Sequence, residues 1–233
     1  MLIIVVISQR LSGSRRAYIT QADREELIMT KRINTRVTVA DVRRAREAFE
    51  ANEPRDLFYR TATELVSLAR SNKISLTTAE ALAILLQTWN KNFYRFKQHR
   101  FDARHFRDIE NLLAKHNALL ARCYRLKIEN LNPKDEQTVR TLFQEFETIL
   151  GPVGSAKSLH LLAPRLFPLW DREIARKYGV ALNGVGSKVD KYWEFVLISK
   201  AQACGLLETG FDGNLLKALD EYNYCKHSKG WIE

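Results

Sequence analysis

A chain of 233 residues with 45% apolar and 27% charged side chains is long enough to bury a core and too apolar to be disordered. Lysine and arginine outnumber aspartate and glutamate by 37 to 27, a net charge of +10. That excess points to a polyanionic partner, nucleic acid before an acidic membrane. Cys123, Cys204 and Cys225 are odd in number and widely spaced, with no C-x-x-C, which argues against a disulfide framework or a zinc site and fits a reducing, cytoplasmic compartment.

Taken in chain order, Met1 to Ile7 is apolar but too short to span a bilayer, and Arg10, Arg15 and Arg16 follow it rather than precede it, the wrong charge order for a secretory signal. Residues 1–36 lack a sustained helical period apart from a short stretch around Ala22 to Met29, and they read as a loosely docked basic arm. An over-extended start, with Met29 as the true first residue, is the other reading. Residues 37–233 read as one helical globular domain. Thr38 is a candidate N-cap for a helix to about Ala51 with Val39, Val42, Ala45 and Phe49 on one face. Pro54 opens a second helix expected to bury Leu57, Phe58, Leu65 and Leu68.

The third helix, capped by Ser75 or Thr77, is apolar nearly all round and is expected at the centre of the fold. It ends in Gln87-Thr88-Trp89-Asn90, where amides and an indole replace the aliphatic surface. The basic, aromatic run from Lys91 to Arg100 suits either a nucleic-acid face or an amphipathic helix end with rings inward. One helix is expected from Asp102 to about Leu126 and another from Gln137 to Leu150, after the break at Asn132-Pro133. That helix leads into Gly151-Pro152-Val153-Gly154, read as a hairpin, with the next helix starting at about Ser155. Glycines permit positive φ and close backbone approach there, and the free N–H groups of a helix start favour an anion. The segment from Pro164 to Pro168 breaks the chain again before Trp170 and Asp171. Gly184 and Gly186 mark a loop, and helices are expected over Lys188 to Leu206 and Asn214 to Lys226. No repeat is found and strand signal is almost absent beyond a single possible strand over Met1 to Ile7, so the expected fold class is all-α, a multi-helix orthogonal bundle containing a helix-hairpin-helix motif.

Helix, L-G-P-V-G-S-A-K, helix and F-P-L-W-D together resemble the helix-hairpin-helix superfamily of DNA glycosylases and abasic lyases, with the motif at about residues 137–179. Its members carry a hairpin of the type L-P-G-V-G-x-K-T-A, an Asp delivered by a downstream P-V-D segment, and an upstream L-L-x-x-Q helix, here Leu85-Leu86-Gln87-Thr88-Trp89-Asn90. Lys157 lies three residues after Gly154, one more than in the lyases, and its interval to Asp171 is shorter than theirs. There is no four-cysteine cluster, so no iron–sulfur cofactor is implied, and no metal.

The resemblance implies roles residue by residue. Gly151, Val153 and Gly154, with the N–H groups of Ser155 and Ala156, would hold a phosphate of duplex DNA. Gln87, Trp89, Asn90 and Trp170 would line a pocket for a base turned out of the stack. Asp171 would activate water or stabilise the sugar cation; Lys157 would attack the anomeric carbon and form a Schiff base, its amine tuned by His160. Each has a plainer reading: Asp171 as a helix N-cap, Lys157 as a phosphate contact or solvated charge, and His160 as a half-buried structural side chain. A monomer without membrane attachment is expected. Two alternatives stand beside it: a non-catalytic helical module that uses the hairpin for backbone contact, and a metal-free RNase of the Arg-x4-His type on Arg100 and His105.

Overall fold

The computed structural model describes residues 36–96 and 102–233. Among these residues the secondary structure is entirely helical, with ten α-helices and no strand. The basic arm lies outside the described residues but for Arg36, as do Lys97 to Phe101 of the basic, aromatic run.

Helix α1 (Val39–Asn52) starts at Thr38, whose side chain accepts from the Asp41 N–H while Asp41 accepts from the Thr38 N–H, a reciprocal cap. Helix α2 (Asp56–Arg70) buries Tyr59, Ala62, Val66 and Ala69. The expected face is therefore rotated: Leu57 is 55% exposed and Phe58 is also exposed, because the inward face is led by a tyrosine whose polar tip hid its role. Helix α3 (Thr78–Trp89), capped by Thr77 and Glu80, buries Ala79, Ala81, Leu82, Ala83, Leu85 and Leu86 and is central as expected. A short α4 (Lys91–Phe96) follows.

The single helix expected from Asp102 is two, α5 (Ala103–Lys115) and α6 (Asn117–Arg125). The backbone leaves helical geometry at buried His116, whose ring lies 3.5 Å from Glu145. Helix α7 (Glu136–Leu162) is the hub, packing against α2, α3, α4, α5 and α6. Gly151 alone departs from helical geometry inside it, at φ 67° and ψ 171°. The four-residue hairpin is thus replaced by a one-residue break, and the second half of α7 starts at Pro152, not Ser155. Proline has no N–H to lose at a first helical position and its φ is already helical.

Trp170 is only 1% exposed. Its indole N–H donates to the Pro152 carbonyl at 3.0 Å, and its ring packs on Phe143, Tyr192 and Phe195. Helix α8 (Arg172–Lys177) precedes an exposed loop over residues 183–187, then α9 (Val189–Glu208) and α10 (Leu215–Asn223). The chain continues from α10 into a π-helical turn, Tyr224–Lys229, where one longer α-helix to Lys226 is expected from the sequence. One apolar cluster draws residues from Val37 to Cys225. No helix among the described residues is long and apolar enough to cross a membrane.

Candidate functional site

Lys157 lies on the second half of α7 and is 8% exposed. Its ammonium donates to the Trp89 carbonyl at the end of α3 and stands 5.6 Å from the centre of the Trp89 ring. Burial pulls its pKa down from 10.5 to about 8, against the pull of the Asp171 and Asp220 carboxylates, while Arg55 adds to the depression. An amine with that pKa is partly neutral near physiological pH, the state a nucleophile or general base needs.

One turn further on, His160 is fully buried. Its Nδ1 faces the Phe167 carbonyl at 2.8 Å and its Nε2 the Tyr59 hydroxyl at 2.8 Å. A carbonyl only accepts, so Nδ1 carries the proton and Nε2 accepts from Tyr59. Burial lowers its pKa to about 4, and the ring is neutral. His160 is therefore a fully buried core histidine with both nitrogens engaged, rather than a half-buried one.

Asp171 is the N-cap of α8: Oδ1 accepts from the Ile174 N–H at 2.8 Å and Oδ2 from the Ser228 hydroxyl at 2.9 Å. Its charge still reaches Lys157. The carboxylate thus performs the capping job of its plainer reading while also lying within the field of the amine.

Helix α10 completes the cluster, and nothing in the sequence singled it out. Lys217 Nζ lies 3.0 Å from Asp56 Oδ1, 3.5 Å from Glu221 Oε1 and 3.9 Å from Asp220 Oδ2, an ionic contact set without an aligned hydrogen bond. The same ammonium is 4.4 Å from the ring centres of Phe49 and Tyr59 and 5.9 Å from that of Trp89. Tyr59 and Trp89 stack at 5.8 Å with their planes 14° apart. Burial raises the Asp220 pKa from 3.8 to about 6; Lys217 and Lys157 oppose that rise, and Glu221 and Asp171 add to it. Beside this cluster, the Glu53 carboxylate binds both Arg55 and the Tyr224 hydroxyl. The Arg55 guanidinium is the largest cause holding Glu53 down at about 2.

The other expected site residues do not converge here. Gln87 is exposed, as it must be when Trp89 points inward about 200° further around the helix. Trp170 belongs to the core. Gly151 and Gly154 are buried: a Cβ on Gly151 would meet the Phe93 ring at 2.8 Å, and one on Gly154 would meet the Asn90 amide nitrogen at 2.6 Å. Asn90, with its amide 3.4 Å from the Leu150 carbonyl, seals this turn rather than lining a pocket. Ser155 and Ala156 are fully buried within the helix, the Ser155 hydroxyl donating back to the Gly151 carbonyl at 2.7 Å, and Val153 is half-buried. This first turn is thus roofed by Phe93 and Asn90. The exposed glycine turn is instead Gly184-Val185-Gly186, where both glycines have positive φ and Val185 stands fully in solvent. The Lys188 ammonium donates to the carbonyls of Gly184 and Gly186, and Glu147 accepts from the Lys188 N–H.

Of the pair Arg100 and His105, the arginine lies outside the described residues, and His105 is buried with its Nε2 3.2 Å from the Tyr94 hydroxyl. No grouping of His, Cys, Asp and Glu suited to a metal occurs among the described residues. The three cysteines are free thiols. Comparisons with protein families, with characterised proteins and with solved structures find no match for this chain.

Proposed function

We propose that this protein acts on nucleic acid as a DNA glycosylase with abasic-site lyase activity, using the Lys157 amine as nucleophile. The observation that carries the reading is the buried amine itself, bound to the Trp89 carbonyl beside the Trp89 ring, with its pKa drawn down to about 8 despite the fields of the Asp171 and Asp220 carboxylates. A lysine buried away from solvent with a lowered pKa is poised for addition to a carbonyl carbon, and the opened sugar of an abasic site is an aldehyde. The half-buried Trp89 ring offers aromatic surface beside the amine, suited to a base or sugar removed from the duplex. The net charge of +10 supplies the long-range attraction to phosphates. In this reading the exposed turn at Gly184 to Gly186, rather than the roofed turn at Gly151, is the surface that meets a nucleic-acid backbone.

The test is borohydride trapping on a labelled duplex carrying one abasic site. A covalent adduct is expected with the wild-type chain and not with Lys157→Gln. An adduct of equal yield in Lys157→Gln, or none in the wild type, refutes the lyase. Both Asp171 oxygens being engaged in hydrogen bonds favours a second reading, a binding module without base excision. Salt-sensitive duplex binding with no adduct and no excised base is its signature.

A further inference from the structure

From Tyr222 to Ile232 the chain carries Lys226, His227 and Lys229 and no acidic side chain. These three lie in the π-helical turn that follows α10, a rare backbone geometry that recurs at functional sites. The turn runs along α8: the Ser228 hydroxyl donates to Asp171 at 2.9 Å, and the His227 ring stands edge-on to Tyr178 at 5.7 Å. Arg172 and Lys177 follow and precede those two α8 contacts in sequence, and both are exposed. Lys177 and Lys226 add to the lowering of the His227 pKa that burial begins. Among the described residues, none of Arg172, Lys177, Lys226 and Lys229 forms an ion pair, whereas neighbouring Arg176 meets Glu173 at 2.7 Å. The His227 ring nitrogens likewise have no hydrogen-bond partner among the described residues. The carboxylates that touch the turn are engaged, Asp171 by the Ile174 N–H and Ser228, Glu53 by Arg55 and Tyr224. The Lys226 ammonium stands 5.6 Å from the Tyr222 ring, and that of Lys229 5.5 Å from Tyr224 and 5.7 Å from Trp231.

We propose that this edge, α8 with the π-helical turn, is a docking surface for a nucleic-acid backbone, Lys226 and Lys229 each meeting a phosphate and Arg172 and Lys177 extending the track. Cations without carboxylate partners, beside an imidazole with free nitrogens, complement a run of phosphates. An acidic membrane fits less well. Trp231 and Ile232 are half-buried against the core, and the exposed large apolar side chains all lie elsewhere, so this edge has no apolar group to enter a bilayer. The turn at Gly184 to Gly186 presents backbone but no free ammonium, because Lys188 donates to its carbonyls. The electrostatic grip therefore sits on α8 and the π-helical turn, anchored through the same Asp171 whose charge reaches Lys157. This deepens the nucleic-acid reading and rests on it for the class of partner, not on the lyase chemistry.

The test follows fluorescence anisotropy of a labelled duplex of about 20 base pairs with the full chain, from about 0.05 to about 0.3 M salt. Lys226→Gln/Lys229→Gln is expected to lower the slope of log K against log salt by about 1.5–2 and to weaken binding roughly 10–100-fold at about 0.1 M salt. A charge-matched control, Lys73→Gln/Lys134→Gln on exposed lysines elsewhere, is expected to leave the slope nearly as it was. An unchanged slope in the first variant, or an equal fall in the control, overturns the proposal, since the attraction then belongs to net charge and not to this edge. If the first variant does not fold, Arg172→Gln/Lys177→Gln on the exposed face of α8 decides, with the same fall expected. Vesicles of phosphatidylserine form the second arm: capture that Lys226→Gln/Lys229→Gln abolishes, with no duplex binding by the wild type, overturns the proposal in favour of a membrane. A slope that depends on Lys226 and Lys229, without a borohydride adduct on abasic duplex, upholds this surface and removes the lyase. An adduct with a slope indifferent to both lysines does the reverse.

Discussion

Replacing Lys157 by methionine keeps the unbranched stem one atom short of the ammonium and deletes its titration, and the consequence for stability can be worked out. The folded chain holds this amine at about 8 against an ordinary 10.5. Between those values the unfolded chain binds a proton that the folded chain has released, so the wild type gains stability as pH rises through that window. At about 1.36 kcal/mol per pH unit, the interval amounts to about 3 kcal/mol. Groups common to both proteins cancel in the comparison. Urea unfolding at pH 7, 8.5 and 10 is therefore expected to show the wild type gaining most of that amount relative to Lys157→Met, which at roughly 2–4 °C per kcal/mol for a chain of this size is also visible in Tm. A stability difference that stays constant from pH 7 to 10 refutes the claim that the ammonium is desolvated, and with it the physical basis of the nucleophile.

The opposite slope belongs to Asp220. Its folded pKa of about 6 against 3.8 means that the folded chain holds the extra proton between those values, so stability falls by about 3 kcal/mol as pH rises through them, and Asp220→Asn is expected to abolish that fall in acid titrations followed by circular dichroism. Glu53 slopes the other way again: held at about 2 by Arg55 and Tyr224, it stabilises above its unfolded value of 4.5 and loses that contribution as pH drops toward 2, so Glu53→Gln is expected to cost about 1–3 kcal/mol at pH 7 and little at pH 2. Tyr59→Phe strips the donor from fully buried His160 Nε2 and is expected to cost about 1–3 kcal/mol in urea unfolding, with no pH dependence between 6 and 8. Gly154→Ala drives a methyl onto the Asn90 amide at 2.6 Å, and overpacking of that kind costs about 1–3 kcal/mol; an unchanged midpoint would mean that Asn90 swings away freely.

The helical class was legible because helix signals are local. Thr38 and Thr77 announce reciprocal caps, Pro133 sits at a helix start, and the apolar run from Ala79 to Leu86 leaves almost no polar face. The site was legible only in part, since it depends on which helix ends meet. Lys157, Asp171 and Trp89 were singled out by the resemblance to a hairpin family; the fold sets Lys157 against the Trp89 carbonyl and ring and within the field of Asp171. The hairpin itself was misplaced. Gly-Pro-Val-Gly reads as a four-residue turn, but only Gly151 takes positive φ; Gly154 is small because the Asn90 amide lies against it. The available signal for the exposed turn was the run Leu182-Asn183-Gly184-Val185-Gly186-Ser187-Lys188, where the lysine follows the second glycine by two residues. Helix α10 was invisible as a site because Lys217, Asp220 and Glu221 look like the solvated charges of any amphipathic helix. Only the packing of α10 against α1 and α9 turns them inward.

That inward turn is the strongest physical argument that the cluster serves a reaction. Lys157, Lys217, Asp220 and Glu221 are all largely withdrawn from water, and each withdrawn charge carries a desolvation cost that pairing only partly offsets. Apolar side chains at positions 157, 217 and 220 would fill the same space beneath Tyr59 and Trp89 without that cost. A structural role accounts for the Glu53–Arg55–Tyr224 link, which fastens the end of α1 to the C-terminal turn through complementary hydrogen bonds. It does not account for an amine drawn down to about 8 and a carboxyl raised to about 6 within one electrostatic cluster. Burial has moved both values toward neutrality from opposite sides, so near pH 7 each group lies within about one pH unit of its titration. An amine so shifted keeps a neutral fraction near pH 7, which is the form that addition to a carbonyl requires.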